Sequence, residues 1–218
     1  VGIDEFVTWC RKANTTPLMT VNLGTNTAKA AQDLVEYCNF PGNSDWSERR
    51  KKNGAAQPHG IKLWCLGNEM DGEWQIGHKT ATEYARIARE SAKMMKMVDP
   101  SIELIVCGSS TRGMPTYGEW DATVLDETFD VVEYLALHAY YGCYDGNRPL
   151  FLASPEILDW QIATSIAICD FVAAKKKSHK KLSLAVDEWN VWYRGNPKAA
   201  PETIWQVGRP INEETYDM

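Results

Sequence analysis

The chain has 218 residues, 44% hydrophobic and 24% charged, a globular balance that excludes disordered, collagen-like and low-complexity architectures. Its 23 basic and 29 acidic side chains leave a formal charge of −6, which argues against the basic face that phosphate-backbone binding requires, so no nucleic-acid partner is expected. The length suits one large domain; no repeat and no Gly/Ser- or Pro-rich linker divides it, so residues 1–218 read as a single unit.

In chain order, a strand is expected over 17–23 (PLMTVNL), a helix over 28–38 and a strand over 61–67 (IKLWCLG). A helix follows over 80–98, opened by the capping box Thr80-Ala81-Thr82-Glu83 and stopped at Asp99-Pro100. Strands over 103–108 (ELIVCG) and 132–140 (VEYLALHAY), a helix over 156–177 and a strand over 182–189 (LSLAVDEW) complete the pattern. Nearly continuous apolar strands alternating with helices indicate an α/β fold with a parallel sheet covered on both faces. The Lys175-Lys176-Lys177 run suits a solvated helix C-terminus. No uninterrupted apolar stretch approaches a membrane span, and residues 1–10 lack the basic and apolar regions of a secretory leader, so no membrane association is expected.

Cys10, Cys38, Cys65, Cys107, Cys143 and Cys169 form no C-x-x-C pair, and most sit in apolar runs. They read as small buried hydrophobes in a reducing compartment. Asn14-Thr15-Thr16 is a single sequon, ascribed to chance. His59, His78 and His179 offer no H-E-x-x-H or Cys/His cluster, so no metal is expected. Ser109-Ser110 lacks the G-x-S-x-G setting, and Gly24 and Gly108 form no phosphate loop; no cofactor is indicated.

Chemistry is expected where strands emerge into loops, and two polar, aromatic loops, 68–79 and 140–152, follow strand ends. The strand over 61–67 ends in Gly67-Asn68-Glu69 and that over 182–187 runs into Asp187-Glu188-Trp189-Asn190. Spacing alone admits two readings: surface carboxylates paired with nearby Lys or Arg, or the two carboxyl groups of glycoside hydrolysis, one a proton donor and the other a nucleophile or base. Trp64, Trp74, Trp189, Trp192 and Tyr193 flank the two sites and tilt the balance toward sugar, whose C–H faces pack on aromatic rings.

The stretch Trp64-Cys65-Leu66-Gly67-Asn68-Glu69-Met70-Asp71-Gly72, continuing Trp74-Gln75-Ile76-Gly77-His78-Lys79, together with Asp187-Glu188-Trp189-Asn190-Val191-Trp192-Tyr193, resembles family 51 of the glycoside hydrolases, the α-L-arabinofuranosidases. Val21-Asn22-Leu23-Gly24-Thr25, Glu36-Tyr37-Cys38-Asn39, Cys107-Gly108-Ser109-Ser110 and Leu137-His138-Ala139-Tyr140-Tyr141-Gly142 resemble it in the same order, so the similarity runs from about residue 2 to about 193. The resemblance implies a (β/α)₈ TIM barrel with Glu69 as acid/base at the end of the fourth strand and Glu188 as nucleophile at the end of the seventh. It also implies that Asn68 bonds the sugar 2-hydroxyl, that His138 and Tyr140 line the site and orient Glu188, and that Trp192 forms part of the sugar-binding wall. A retaining mechanism would place the carboxyl groups roughly 5–5.5 Å apart, with one carboxyl raised by burial and like charge so that it starts protonated.

Eight strands and ~250 residues make a complete barrel; this sequence supplies about five strands. The resemblance places them third to seventh, opening on the helix before the third, without the family's β-sandwich. The expectation is therefore an incomplete barrel, either a fragment or completed by another chain, with two parallel edges and part of the interior exposed. Implied partners are arabinan, arabinoxylan or arabino-oligosaccharides and further copies in a homo-oligomer; the implied location is cytoplasmic, with secretion left open. An endo-glycanase of the same clan acting on xylan, mannan or glucan, and a non-catalytic carbohydrate-binding barrel, are the competing readings.

Overall fold

The computed structural model describes residues 2–143 and 146–191. Its elements are α1 (Ile3–Lys12), β1 (Leu18–Val21), α2 (Ala28–Asn39), α3 (Asp45–Lys52), β2 (Leu63–Leu66), α4 (Ala81–Val98), β3 (Glu103–Val106), α5 (Glu119–Thr128), β4 (Tyr134–Tyr141), α6 (Arg148–Leu152), α7 (Pro155–Lys175) and β5 (Ser183–Val191). The strands pair in chain order, β1-β2-β3-β4-β5, and every pair is parallel. They curl into half of a barrel, so the α/β, incomplete-barrel class expected from the sequence is the one observed. Each predicted strand and helix forms over nearly the expected residues.

Periodicity did not reveal α3, α5 or α6. The α3 sequence DWSERRKK has almost no apolar face; the helix is anchored instead by Arg50, which is fully buried and donates to the carbonyls of Tyr37 (2.8 Å), Phe40 (2.9 Å) and Ala55 (3.2 Å). The α6 turn lies inside the loop expected over 140–152, where Asn147 caps it by accepting from the Leu150 N–H.

Side-chain alternation splits the sheet into two faces. Trp64, Leu66, Leu104, Val106 and Leu135 pack outward on Val35, Tyr84, Ala88, Met95, Trp120 and Leu125 of the helices, forming the main core. Cys65, Ile105 and Ala136 point inward with Leu18, Tyr134 and Ala185, a small cluster of barrel-interior side chains. All six cysteines are free, and five are buried, in keeping with their reading as small hydrophobes. Among the described residues β1 and β5 each pair on one side only, and Val186 and Trp189 of β5 are exposed.

No uninterrupted apolar run of membrane length is present, but the 21-residue α7, with Asp159, Gln161 and Ser165 breaking its run, is by length and mean hydropathy apolar enough to cross a membrane. Cys169, Val172 and Ala173 are its buried apolar residues, and Gln161 Nε2 donates to the His138 carbonyl (3.1 Å). Lys175 and Lys176 at its end pair with Asp126 of α5 at 2.9 and 3.4 Å, so the basic run is a helix end.

The strand ends that carry the site are held by Tyr84 of α4. Its fully buried hydroxyl donates to the Leu66 carbonyl (2.6 Å) and accepts from the Cys107 N–H (2.9 Å), tying the end of β2 to that of β3. Tyr84→Phe removes the partner of the buried Cys107 N–H and leaves the Leu66 carbonyl to the Cys107 thiol (3.6 Å), and should cost about 1–3 kcal/mol; urea unfolding should show a lower midpoint with an unchanged slope.

Candidate active site

Two left-handed residues shape the turn after β2. Gly67 has φ +95°, and a Cβ there would lie 2.8 Å from Met70 Sδ; Glu69 has φ +45°, a conformation that costs a non-glycine residue of order 1 kcal/mol. Asp71 holds the turn. Its buried carboxylate accepts the Ser110 N–H at 3.1 Å and the Ser110 hydroxyl, which fastens the loop after β2 to the one after β3. Burial raises the Asp71 carboxyl above the usual range, and the Ser110 bonds act against that shift. Asp121 does the same for the neighbouring turn, accepting the Ser109 N–H (2.8 Å) and hydroxyl (3.1 Å).

The second carboxylate is placed by an irregularity between β4 and β5. Leu137 faces Val186, but His138 faces Glu188, so Asp187 is the extra residue of a bulge. In a regular strand Asp187 and Glu188 would point to opposite faces. Here both reach His138: Asp187 Oδ1 lies 3.5 Å from Nε2, and Glu188 Oε2 lies 3.6 Å from Nδ1.

These constraints bring Glu69 and Glu188 together across the sheet. One oxygen of each and a ring nitrogen of His138 lie within 4.8 Å of one another. Glu69 Oε1 faces His138 Nδ1 at 3.1 Å, while its Oε2 accepts from Trp74 Nε1 and from Gln75 Nε2 at 3.5 Å. Glu188 Oε1 accepts the Tyr140 hydroxyl at 2.8 Å. Among the described residues these three groups are also the one set close enough to hold a metal ion. A single imidazole with two carboxylates already engaged by hydrogen-bond donors matches an acid–base site better than the closed ligand sets of a structural metal.

Carboxylates only accept, and both ring nitrogens of His138 face carboxylates, so both contacts are hydrogen bonds when the ring is doubly protonated. Burial opposes that charge, but the bonds to Asp187 and Glu69 and the charges of Asp187 and Glu188 outweigh it, raising His138 to about 10. Burial by itself would raise Glu69; the donated bonds of His138 and Trp74 and the imidazolium charge bring it below the usual range instead. Where burial and like charge are expected to raise the acid, the His138 and Trp74 bonds hold Glu69 below the usual range beside a charged imidazole.

The expected site residues divide accordingly. Glu69, Glu188, His138 and Tyr140 converge, with the difference that His138 bonds Glu69 and it is Tyr140 that bonds Glu188. Asn68 is exposed and lines, with Asn22, Trp74, Gln75 and Ile76, a cleft of about 430 Å³ beside Glu69. Trp192 and Tyr193 lie outside the described residues. Of the flanking aromatics, Trp74 reaches a carboxylate; Trp64 is fully buried and donates to the Ile61 carbonyl (3.0 Å), so it belongs to the core. Trp189 is exposed and by alternation turns away from the interior. His59 pairs with Asp4 at 2.7 Å beside α1, and His78 and His179 are exposed. Sequence reasoning missed Asp187 and Gln75 as site residues; a strand pattern without the bulge gives no signal for the first.

A curled parallel sheet with two carboxylates converging at the C-terminal ends of its second and fifth strands is the layout of a barrel-type glycosidase. The family profile described as alpha-L-arabinofuranosidase 1 domain matches residues 1–146. An intracellular exo-alpha-(1->5)-L-arabinofuranosidase 1 of Bacillus subtilis is 54% identical over 218 residues, which is 100% of this chain and 44% of that protein. An exo-alpha-(1->6)-L-arabinofuranosidase of Bifidobacterium longum is 46% identical, over 99% of this chain and 43% of that protein. Among solved structures, a family 51 alpha-L-arabinofuranosidase from Bifidobacterium longum superposes with a TM-score of 0.84 at 40% identity, over 88% of this chain and 40% of that one. An alpha-L-arabinofuranosidase from Thermotoga maritima gives 0.79 at 38% identity, over 88% of this chain and 38% of that one. The chain belongs to the α-L-arabinofuranosidases of glycoside hydrolase family 51. It spans less than half the length of these relatives.

Because His138 has a folded pKa above its ordinary value of ~6.5, its protonation stabilises the fold fully below about pH 6.5, and that contribution is lost as pH rises through about 10. Thermal unfolding followed across pH 6–11 should show this alkaline loss, and His138→Gln should remove most of it.

Proposed function

We propose that the protein carrying this chain is a retaining exo-α-L-arabinofuranosidase, and that residues 1–218 form part of its catalytic barrel. The observation that carries this reading is the approach of an oxygen of Glu69 and one of Glu188 to within 4.8 Å, which fits the short separation of retaining glycosidases, roughly 5–5.5 Å, and not the roughly 6.5–9.5 Å of inverting ones. Glu188, bonded by Tyr140, attacks the anomeric carbon as the Glu69 carboxyl gives its proton to the departing glycosidic oxygen. Glu69 then takes a proton from water, whose oxygen displaces Glu188 from the sugar.

The first step requires a proton on Glu69, taken up from solvent while His138 keeps its own. A sugar seated over the carboxylates excludes solvent, and desolvation favours a neutral Glu69, the same direction in which burial already acts. In this reading Asn68, at the rim of the cleft, bonds the 2-hydroxyl and Trp192 supplies part of the wall. In this reading the substrates are arabinan, arabinoxylan or their oligosaccharides, in keeping with relatives named exo-alpha-(1->5)- and exo-alpha-(1->6)-L-arabinofuranosidases. Their description as intracellular supports a cytoplasmic site of action. We further propose a homo-oligomer.

The assay is release of arabinose from branched arabino-oligosaccharides by the full-length protein, with proton NMR of the first-formed anomer, which should retain the configuration of the substrate. Glu188→Ala should lower kcat by several orders of magnitude on every substrate, on the scale of losing a nucleophile. Glu69→Ala should be severe on oligosaccharides and much milder on aryl arabinosides, whose leaving groups need no proton. Release of the opposite anomer, or an unchanged Glu188→Ala rate, would overturn the assignment.

A further inference from the structure

The proposed double displacement moves negative charge between two carboxylates, and one N–H lies between them. His138 Nδ1 is 3.1 Å from Glu69 Oε1 and 3.6 Å from Glu188 Oε2. Its orientation is fixed from behind. Asp187 Oδ1 meets Nε2 at 3.5 Å, and Asp187 Oδ2 accepts from the Cys65 thiol at 3.5 Å, so the aspartate is clamped between β2 and β4. Asp187 follows Ala185 on the inward face, the bulge at Leu137/His138 brings Glu188 round beside it, and α7 grips the His138 backbone through Gln161.

We propose that Asp187 is a positioning residue that acts through His138, holding the ring so that its Nδ1–H alternates between Glu69 and Glu188 as the negative charge moves through the two half-reactions. This rests on the catalytic reading of the two glutamates. When Glu69 is protonated and Glu188 is the attacking anion, the N–H turns to Glu188. As the glycosidic C–O bond breaks, its electron pair takes the Glu69 proton, Glu188 becomes a neutral ester, and the N–H returns to the new Glu69 carboxylate. Water then gives a proton to Glu69 as its oxygen displaces Glu188, and the N–H turns to Glu188 once more. His138 keeps both its protons throughout; it directs charge without exchanging any.

Among the described residues, the charged groups against His138 are Glu69 from the loop after β2 and Asp187 and Glu188 on β5, and the titratable Cys65 thiol on β2 bonds Asp187 behind the ring. The Cys65 thiol is raised by burial and by Asp187, so it remains a neutral donor across the working range. Asp187 is thus the one anion in the group that the reaction does not consume or protonate, and its removal should be felt in both half-reactions.

The test uses the full-length protein with histidine labelled at Cε1, His138 being assigned from the signal lost in His138→Gln. In the wild type the His138 signal should stay at its imidazolium position beyond pH 8. Asp187→Asn, which keeps the size of the side chain and an accepting oxygen but removes the charge, should lower that titration by a pH unit or more. The alkaline limb of kcat/KM for an aryl α-L-arabinofuranoside should move with it. Both kcat/KM, which reports sugar transfer to the enzyme, and the steady-state kcat after a burst, which reports hydrolysis of the ester, should fall, on the order of 10²-fold for a lost positioning contact. Asp187→Glu should restore the titration in part. A titration and pH limb left at their wild-type positions, or a fall confined to one of the two rates, would overturn the proposal. If the wild type fails to hydrolyse the arabinoside while Asp187→Asn still moves the His138 titration, the proposed function falls and the hold of Asp187 on His138 stands.

Discussion

One imidazole facing three carboxylates is the constraint around which the rest of this chain is arranged. Glu69, Asp187 and Glu188 all approach His138, and their mutual repulsion in a partly buried pocket is tolerable because the ring carries a positive charge between them. The same charge keeps Glu69 ionised in the free site, so the acid of the proposed reaction is armed only when the surroundings change.

Holding that cluster requires departures from regular structure at both ends. Glu69 adopts a left-handed backbone, and β5 carries a bulge that turns two consecutive acidic residues to one face. Polar contacts brace the turns and strands around these departures: Asp71 on Ser110, Asp121 on Ser109, the core Tyr84 between Leu66 and Cys107, Gln161 on His138. The helices and the outward-facing strand residues supply the burial that fixes the sheet, and the loops carry the strain. The site faces the concave side of a half-barrel, and among the described residues β5 pairs on one side only, with Val186 and Trp189 exposed on its outer face.

The strands and the three long, periodic helices were legible because each obeys a local rule: apolar runs for strands covered by helices, and the Thr80–Glu83 box and Asp99-Pro100 stop for α4. The glutamates were legible as strand-end carboxylates, and the family through its long motifs. What escaped were features whose stabilisation comes from distant partners. The polar α3 is held by Arg50 reaching back to Tyr37 and Phe40, and Trp64, which resembled a sugar platform, is sealed beneath α2 and α4.

The sequence by itself determined the class of fold, the order of its elements and the two acidic residues placed where strands end, because hydrophobic period and capping chemistry act over a few neighbouring positions. Only the tertiary structure decided how those acids are used. It paired His138 with Glu69 and Tyr140 with Glu188, inserted Asp187 into the bulge behind the ring, and set which group holds the proton. Those outcomes depend on through-space distances between β2, β4 and β5, and electrostatic energy at a few ångströms is a property of the assembled sheet that no local stretch of residues encodes.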